Sequence, residues 1–253
     1  SGSTRREDLV AIESALSISV NDKEYGLHNI GLTMRTKGED QKLVLGFLYS
    51  EGIIDSIDQI IGVDSDEESV VVTLGDGTNF DPKVHCRPSI VSSACGICGR
   101  KTIDESLKIN TPELDEQVRI SMNSVARCLH AMKSEQPLFA STGGSHACAS
   151  FDGEGVLQRI YEDVGRHNAM DKLVGSYLSD RMVPINGLAL FVSGRASFEL
   201  VQKSIRAGFP IMVAIGAPST LAVDLANEHG KTLICFAKSD SITVYSGVRR
   251  VVQ

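Results

Sequence analysis

Apolar spacing in the first third of the chain predicts short strands around one helix. Apolar and polar residues alternate over positions 15–20, and the turn-forming Asn21 and Asp22 follow, which predicts a β-hairpin. Apolar residues then recur at 43, 44, 47 and 48, as on one helical face, and this helix is expected to end at Gly52. Further strands are predicted at residues 29–36, 57–63 and 69–74. Residues 4–83 are therefore expected to form a small α+β domain.

The second half alternates between helical and extended patterns. Residues 121–134 have one apolar helical face, and the turn-forming residues 152–155 join two candidate strands. Helices predicted at 166–178, 197–207 and 219–228 then alternate with strands at 188–193, 211–215, 233–237 and 242–245. Such alternation builds a largely parallel sheet, so residues 117–253 are expected to form an α/β domain. Residues 84–116 have neither pattern and are expected to be a linker loop.

Composition argues against several classes of protein. The 253 residues have a net charge of −7 and a pI near 5.4, whereas a nucleic-acid binder presents a basic face. No apolar run is long enough to span a membrane, and no signal-peptide pattern opens the chain, so a cytoplasmic protein is expected. The six cysteines are then expected to be reduced thiols.

The strongest chemical signal lies in the linker, where Cys95 and Cys98 stand two residues apart in a glycine-rich stretch ending at Arg100. Thiols at this spacing can form a redox disulfide, supply half of a zinc site, or carry a sulfane sulfur atom. A second cysteine pair and zinc-finger histidine spacing are missing from the sequence, so no structural metal is expected. The residues after Arg100 begin no strongly amphipathic helix, which weakens the thioredoxin-like interpretation without excluding it. The glycines and the arginine argue against two incidental buried cysteines.

Three predicted strand-to-helix junctions share one composition. Residues 162–168, 193–197 and 216–220 each place glycine with a hydroxyl, amide or guanidinium group at a helix start. At the carboxyl edge of a parallel sheet such starts bind anions, which makes Arg166 and Arg195 candidate phosphate ligands. Each junction taken singly is better explained as a helix cap, and a lone histidine such as His167 more often caps than catalyses. Three junctions at one edge indicate a site for a large anionic ligand.

Seven segments in order along nearly the whole chain resemble the formate dehydrogenase accessory sulfurtransferases, the FdhD family. They are residues 34–36, 45–52, 95–99, 142–146, 163–169, 193–195 and 217–219. The resemblance implies a sulfurtransferase that accepts sulfur from a cysteine desulfurase as a cysteine persulfide. It would pass that sulfur to the molybdenum (or tungsten) bis(guanine dinucleotide) pterin cofactor of formate dehydrogenase. The family's persulfide cysteine corresponds to Cys95, and Cys98 is the expected helper in sulfur relay or release.

The resemblance also implies where this cofactor binds as a substrate. The family's cofactor-binding stretch falls on Phe236, Ala237, Lys238, Ser239, Asp240 and Ser241. Together with the junction residues, the expected site includes Gly194, Arg195, Arg166 and His167. The implied partners are the desulfurase, formate dehydrogenase and a second copy of the chain in a homodimer. A non-catalytic molybdenum cofactor chaperone is the alternative function.

The second domain also resembles the cytidine deaminase fold in its order of elements. Zinc deaminases open two helices with HxE and PCxxC motifs, and neither motif occurs at Arg166 or Ser197. The expected fold is therefore an α+β N-terminal module followed by a cytidine-deaminase-like three-layer α/β domain that lacks the zinc ligands.

Overall fold

The computed structural model describes residues 7–86 and 110–252. The predicted Cys95 and Cys98 lie outside these described residues. The described chain forms a four-stranded sheet, a six-stranded sheet and a two-stranded sheet. In the described ranges no helix is long and apolar enough to cross a membrane.

The N-terminal sheet confirms the predicted hairpin. Its strands are β1 (Ser14–Asp22), β2 (Gly26–Arg35), β3 (Ile60–Ser65) and β4 (Ser69–Leu74), in the order β2-β1-β4-β3, and helix α1 (Asp40–Ser50) follows β2. The Asp22 carboxylate closes the hairpin by accepting the N–H groups of Glu24 and Tyr25 at 2.8 and 3.0 Å. The predicted start of a strand at residue 57 was wrong. Residues Ile57–Gln59 form a 3₁₀ turn, which a capping box between Ser56 and Gln59 stabilises.

The rest of the described chain alternates between helices and strands largely as predicted, apart from short helices at residues 82–85 and 137–142 that the sequence did not predict. Its helices and strands are α2 (Pro82–His85), β5 (Ile120–Ser121), α3 (Met122–Ser134), α4 (Pro137–Thr142), β6 (His146–Phe151), β7 (Leu157–Asp163), α5 (Arg166–Ser179), β8 (Ala189–Val192), α6 (Phe198–Arg206), β9 (Ile211–Ala214), α7 (Thr220–Glu228), β10 (Thr232–Cys235), β11 (Thr243–Ser246) and β12 (Val251–Val252).

The strand order brings four carboxyl ends to one edge of the large sheet. The order is β11-β10-β9-β8-β6-β7, with β8, β9 and β10 parallel and β6 antiparallel to both of its neighbours. The carboxyl ends of β7, β8, β9 and β10 therefore lie beside the amino end of β6. We call this border the carboxyl edge.

Helices cover both faces of the six-stranded sheet. Neighbouring residues of a strand point to opposite sides, and here both sides carry apolar side chains that need cover. Ala147 and Phe191 pack with Met132 of α3 on one face. Cys148 and Val192 pack on the other face in a cluster that also contains residues of α5, α6 and α7. The observed arrangement is a mixed α/β fold, and its likeness to the cytidine deaminase fold stays a prediction.

The two large sheets share a core through the contact between α1 and α5. The apolar cluster on the α5 face continues through α1 to Leu16 of β1. Glycines permit this contact, since a Cβ on Gly46 would lie 1.9 Å from the carbonyl oxygen of Asp171. A Cβ on Gly175 would lie 1.8 Å from the carbonyl oxygen of Lys42. The helix backbones therefore touch directly at these two positions.

Candidate functional site

A cavity of about 640 Å³ opens at the carboxyl edge. Apolar parts of its lining come from Leu129, Met132, Phe139 and Ile215. Polar groups of the lining come from Lys133, Gln136, Ser145, His146 and Ser193. Apolar walls with a few polar groups are typical of sites that bind an organic ring and fix its orientation.

The loops after β8, β9 and β10 are layered on one another at this edge. The Gly216 N–H donates to the carbonyl of Gly194 at 2.9 Å, and the Phe236 N–H donates to the carbonyl of Gly216 at 3.2 Å. These bonds extend the sheet pairing beyond the strands. The structure thus brings the predicted Gly194 and Phe236 loops together, and Ala237 in the latter loop lines the cavity.

Gly194 allows two polar side chains to approach the backbone beside the cavity. A Cβ at this position would lie 3.5 Å from His146 Nδ1 and 3.7 Å from Arg166 Cδ. Arg166 is half-buried there, whereas the side chain of Arg195 is exposed. The backbone of Arg195 packs against Gly216, where a Cβ would lie 2.9 Å from the Arg195 Cα. The two predicted arginines therefore occupy different environments.

The three helix starts at this edge are not equivalent. Ser197 caps α6 by accepting the Leu200 N–H at 3.5 Å, and Ser219 caps α7 by accepting the Ala222 N–H at 3.3 Å. The N-cap of α5 is Gly165, which has no side chain to offer. Capping thus accounts for two of the junctions, while at the α5 start the N-cap residue itself offers no side chain to the first N–H groups.

Two histidines beside Arg166 are held in the neutral form. His167 is buried, and neither ring nitrogen has a hydrogen-bond partner in the described part of the chain. Burial, helped by Lys203, Arg166 and His146, lowers the pKa of His167 well below its ordinary value. Burial and then Arg166 also lower the pKa of His146. The His146 imidazole lines the cavity and can therefore exchange hydrogen bonds with a ligand without adding charge, whereas the buried His167 is not among the lining residues.

Asp163 fixes the start of α5 against the N-terminal sheet, a role that the sequence did not reveal. Its buried carboxylate accepts the Gly165 N–H at 2.9 Å and the Thr36 N–H at 3.1 Å. It also forms a buried ion pair with Lys172 at 2.8 Å and a hydrogen bond with Asn168 at 3.1 Å. Two segments of the resemblance, 34–36 and 163–169, meet in this network.

Most of the predicted stretch 236–241 lies away from the cavity lining. Phe236 has a φ of 50°, in the left-handed region, and the residue is 45% exposed. The Lys238 N–H donates to the Ser241 carbonyl at 2.8 Å and closes an exposed turn. Ser239 and Asp240 are exposed in this turn. Of the six residues, the structure places Ala237 in the lining.

The described cysteines do not resemble reactive thiols. Burial raises the pKa of both Cys128 and Cys235 to about 12, and it also raises the pKa of Cys148. Burial raises the pKa of the half-buried Cys86 as well. No group of three or more His, Cys, Asp or Glu residues that could hold a metal occurs in residues 7–86 and 110–252.

Several lining residues were missed at the sequence level. Ser145 and His146 belong to residues 142–146, one of the segments that resemble the FdhD family. That resemblance was the sequence signal that could have identified them. Gln136 and Phe139 begin a short helix with no apolar period, and nothing in the local sequence separates them from an ordinary turn. Only the fold of α4 over the carboxyl edge brings them to the cavity.

Comparisons with known proteins match almost the whole chain. The model of the FdhD/NarQ family matches residues 11–252. The "Sulfur carrier protein FdhD" of Sulfurisphaera tokodaii is 42% identical over 97% of this chain and 92% of its own length. The protein with the same description from Thermoplasma acidophilum is 40% identical, over 99% and 89% of the two chains. A crystal structure from Desulfotalea psychrophila, assigned as a formate dehydrogenase accessory protein, has a TM-score of 0.78 and 26% identity over 97% of this chain and 92% of its own.

Proposed function

The chain belongs to the FdhD/NarQ family, and we propose that it carries sulfur from a cysteine desulfurase to the pterin cofactor of formate dehydrogenase. Curated relatives are described as sulfur carrier proteins. The similar crystal structure is assigned to a formate dehydrogenase accessory protein. The substrate is the molybdenum or tungsten bis(guanine dinucleotide) pterin cofactor, and the protein acts as a sulfurtransferase on it.

The cavity at the carboxyl edge is the main observation that supports binding of the cofactor. Its volume of about 640 Å³ suits a nucleotide-sized group, and its apolar walls suit a planar base. The start of α5, whose N-cap is a glycine, and the Arg166 guanidinium beside it suit a diphosphate. Neutral His146 and Gln136 supply hydrogen-bonding groups in the lining.

Sulfur enters by exchange at Cys95. The Cys95 thiolate attacks the sulfane sulfur of the desulfurase persulfide, a new S–S bond forms, and the desulfurase cysteine leaves as a thiolate. Cys98 then attacks the inner sulfur of the Cys95 persulfide. A Cys95–Cys98 disulfide forms, and the outer sulfur leaves as hydrosulfide towards the cofactor. The two cysteines are oxidised as the sulfane sulfur is reduced, and a dithiol reductant restores both thiols.

The remaining cysteines support this assignment by their environments. A carrier needs a thiolate near neutral pH, and burial holds Cys128, Cys148 and Cys235 as thiols. The glycine-rich stretch with Arg100 has the composition that favours a thiolate. The exchange chemistry is therefore assigned to the pair in the linker.

The proposal that Cys95 carries the sulfur can be tested by intact-mass measurement. The protein is first incubated with a cysteine desulfurase and cysteine. We expect one or more added sulfur atoms on the wild-type protein and on Cys98→Ala, and none on Cys95→Ala. Cys86→Ala is the matched control and should load like the wild type. Sulfur on Cys95→Ala, or its absence from Cys98→Ala, would show that the assignment of the carrier is wrong.

A further inference from the structure

One wall of the cavity is a small unit that buries little of its own surface. This wall consists of α4 and the loop that follows it, residues 137–145, and it places Phe139 and Ser145 in the lining. None of the α4 side chains is fully buried, and the Gln136 side chain does not cap the helix. Burial of apolar surface therefore contributes little to holding the wall in place.

Glu162 of β7 holds both ends of this wall. Its Oε2 accepts the Leu138 N–H at 2.9 Å, and its Oε1 accepts the Phe139 N–H at 2.8 Å. The same Oε1 accepts the hydroxyl proton of Ser145 at 2.7 Å, beyond the end of α4. Hydrogen bonds to a carboxylate are stronger than neutral ones, and here a single side chain makes three.

Asp163, the next residue along β7, lies on the other face of the sheet. Successive side chains of a strand point to opposite sides, so Glu162 faces α4 while Asp163 faces α5 and the N-terminal sheet. Asp163 is fully buried in the network that joins the two sheets, whereas Glu162 is half-buried. The wall can therefore be perturbed at Glu162 while the network of Asp163 stays intact.

We propose that Glu162 is a positioning residue, which sets the affinity of the cavity for its ligand by holding Phe139 and Ser145 in the lining. This inference rests on the proposed function, in which the ligand is the guanine nucleotide part of the cofactor. Without the carboxylate, the two N–H groups at the start of α4 and the Ser145 hydroxyl turn to water. The ligand must then order the wall when it binds. The conformational entropy lost in that ordering weakens binding.

Three variants of the whole protein test the proposal, with guanosine diphosphate as the probe. Glu162→Ala removes all three bonds. Glu162→Gln keeps an oxygen that can accept from Phe139 and Ser145, but its amide group cannot accept the Leu138 N–H. The control is Glu154→Ala, at the opposite end of the same hairpin, where the side chain is exposed and makes no hydrogen bond or ion pair with the described residues.

Titration calorimetry and amide hydrogen exchange are measured on each protein. We expect Glu162→Ala to bind the nucleotide about tenfold or more weakly, Glu162→Gln to be intermediate, and Glu154→Ala to match the wild type. Exchange without ligand should quicken in residues 137–145 of Glu162→Ala and stay unchanged in β8 and β9. Sulfur loading of Cys95 by a desulfurase should be unaffected, because it does not involve the wall.

Three results would overturn the inference. One is an unchanged affinity in Glu162→Ala although the wild type binds, and another is unchanged exchange in residues 137–145. The third is faster exchange throughout the sheet, because Glu162 would then support the whole fold. If the wild type itself fails to bind guanosine diphosphate, the proposed nucleotide role of the cavity fails. The exchange rates alone then decide whether Glu162 positions the wall.

Discussion

A methyl group added at Gly175 should force apart the two helices that join the sheets. In Gly175→Ala the new Cβ would lie 1.8 Å from the Lys42 oxygen, 2.7 Å from the Lys42 carbonyl carbon and 2.8 Å from the Gly46 nitrogen. All three are backbone atoms, so no side chain can rotate to make room. Relief requires that α1 and α5 move apart by about 1.5 Å or more, given ordinary contacts of about 3.5 Å.

Separating the two helices lowers the free energy of unfolding through two losses, which a gain in helix propensity partly offsets. Overpacking in a core costs about 1–3 kcal/mol and occasionally more. Separation also strains the buried hydrogen bond from Ser50 Oγ to Asp171 at 2.9 Å, which contributes about 1 kcal/mol. Alanine is better than glycine inside a helix by about 1 kcal/mol, which offsets part of the loss. We expect the free energy of unfolding to fall by about 1–3 kcal/mol.

Urea unfolding followed by circular dichroism measures this change. The midpoint should fall while the slope with denaturant stays constant. Gly62→Ala is the control, because its Cβ would meet nothing within 4 Å, and its effect should stay within about 0.5 kcal/mol. If Gly175→Ala proved as stable as the wild type, or more stable by its gain in helix propensity, the direct contact between the helix backbones would be refuted.

Three further predictions concern buried polar groups. Arg206→Met should lower the free energy of unfolding by about 3–5 kcal/mol in the same urea assay. The reason is that the buried Arg206 guanidinium donates to the Ile54 carbonyl and to the Asp55 carboxylate, both at 2.9 Å. A loss below about 1 kcal/mol would contradict this prediction. The folded pKa of His167 lies well below 6.5, so the unfolded chain takes up this proton first as the pH falls. Stability should therefore decline below about pH 7, with up to about 1.4 kcal/mol per pH unit from this group, and an undiminished slope in His167→Gln would refute its role. Iodoacetamide at neutral pH should leave Cys128, Cys148 and Cys235 unmodified until urea unfolds the chain, as peptide mass mapping would show, and modification in the native state would contradict their burial.

Local patterns predicted the elements well where one face of an element is buried. The alternation at 15–20 and the helical spacing at 43–48 both correspond to residues that pack in the core. The glycine junctions were also predictable as a group, because parallel strands place their carboxyl ends together. Ser193 of the second junction lines the cavity at this edge.

Contacts between distant parts of the chain were beyond the sequence patterns. Asp163 belonged to a predicted ligand junction, yet its carboxylate binds Thr36, 127 residues away in the sequence. Periodicity reports which face of an element is buried, not which partner covers it. Glu162 belonged to the same junction, but its role in holding the α4 wall was missed for the same reason, since these hydrogen bonds depend on how the helix returns over the sheet.

The proposed function requires that sulfur moves through Cys95 to a nucleotide-bearing cofactor. The most direct test follows isotopically labelled sulfur from cysteine, through a desulfurase and this protein, to the bis(guanine dinucleotide) cofactor recovered by chromatography. We expect label on the cofactor with the wild-type protein and none with Cys95→Ala. Unlabelled cofactor that nevertheless binds the wild-type protein would contradict it and would indicate a chaperone that moves no sulfur.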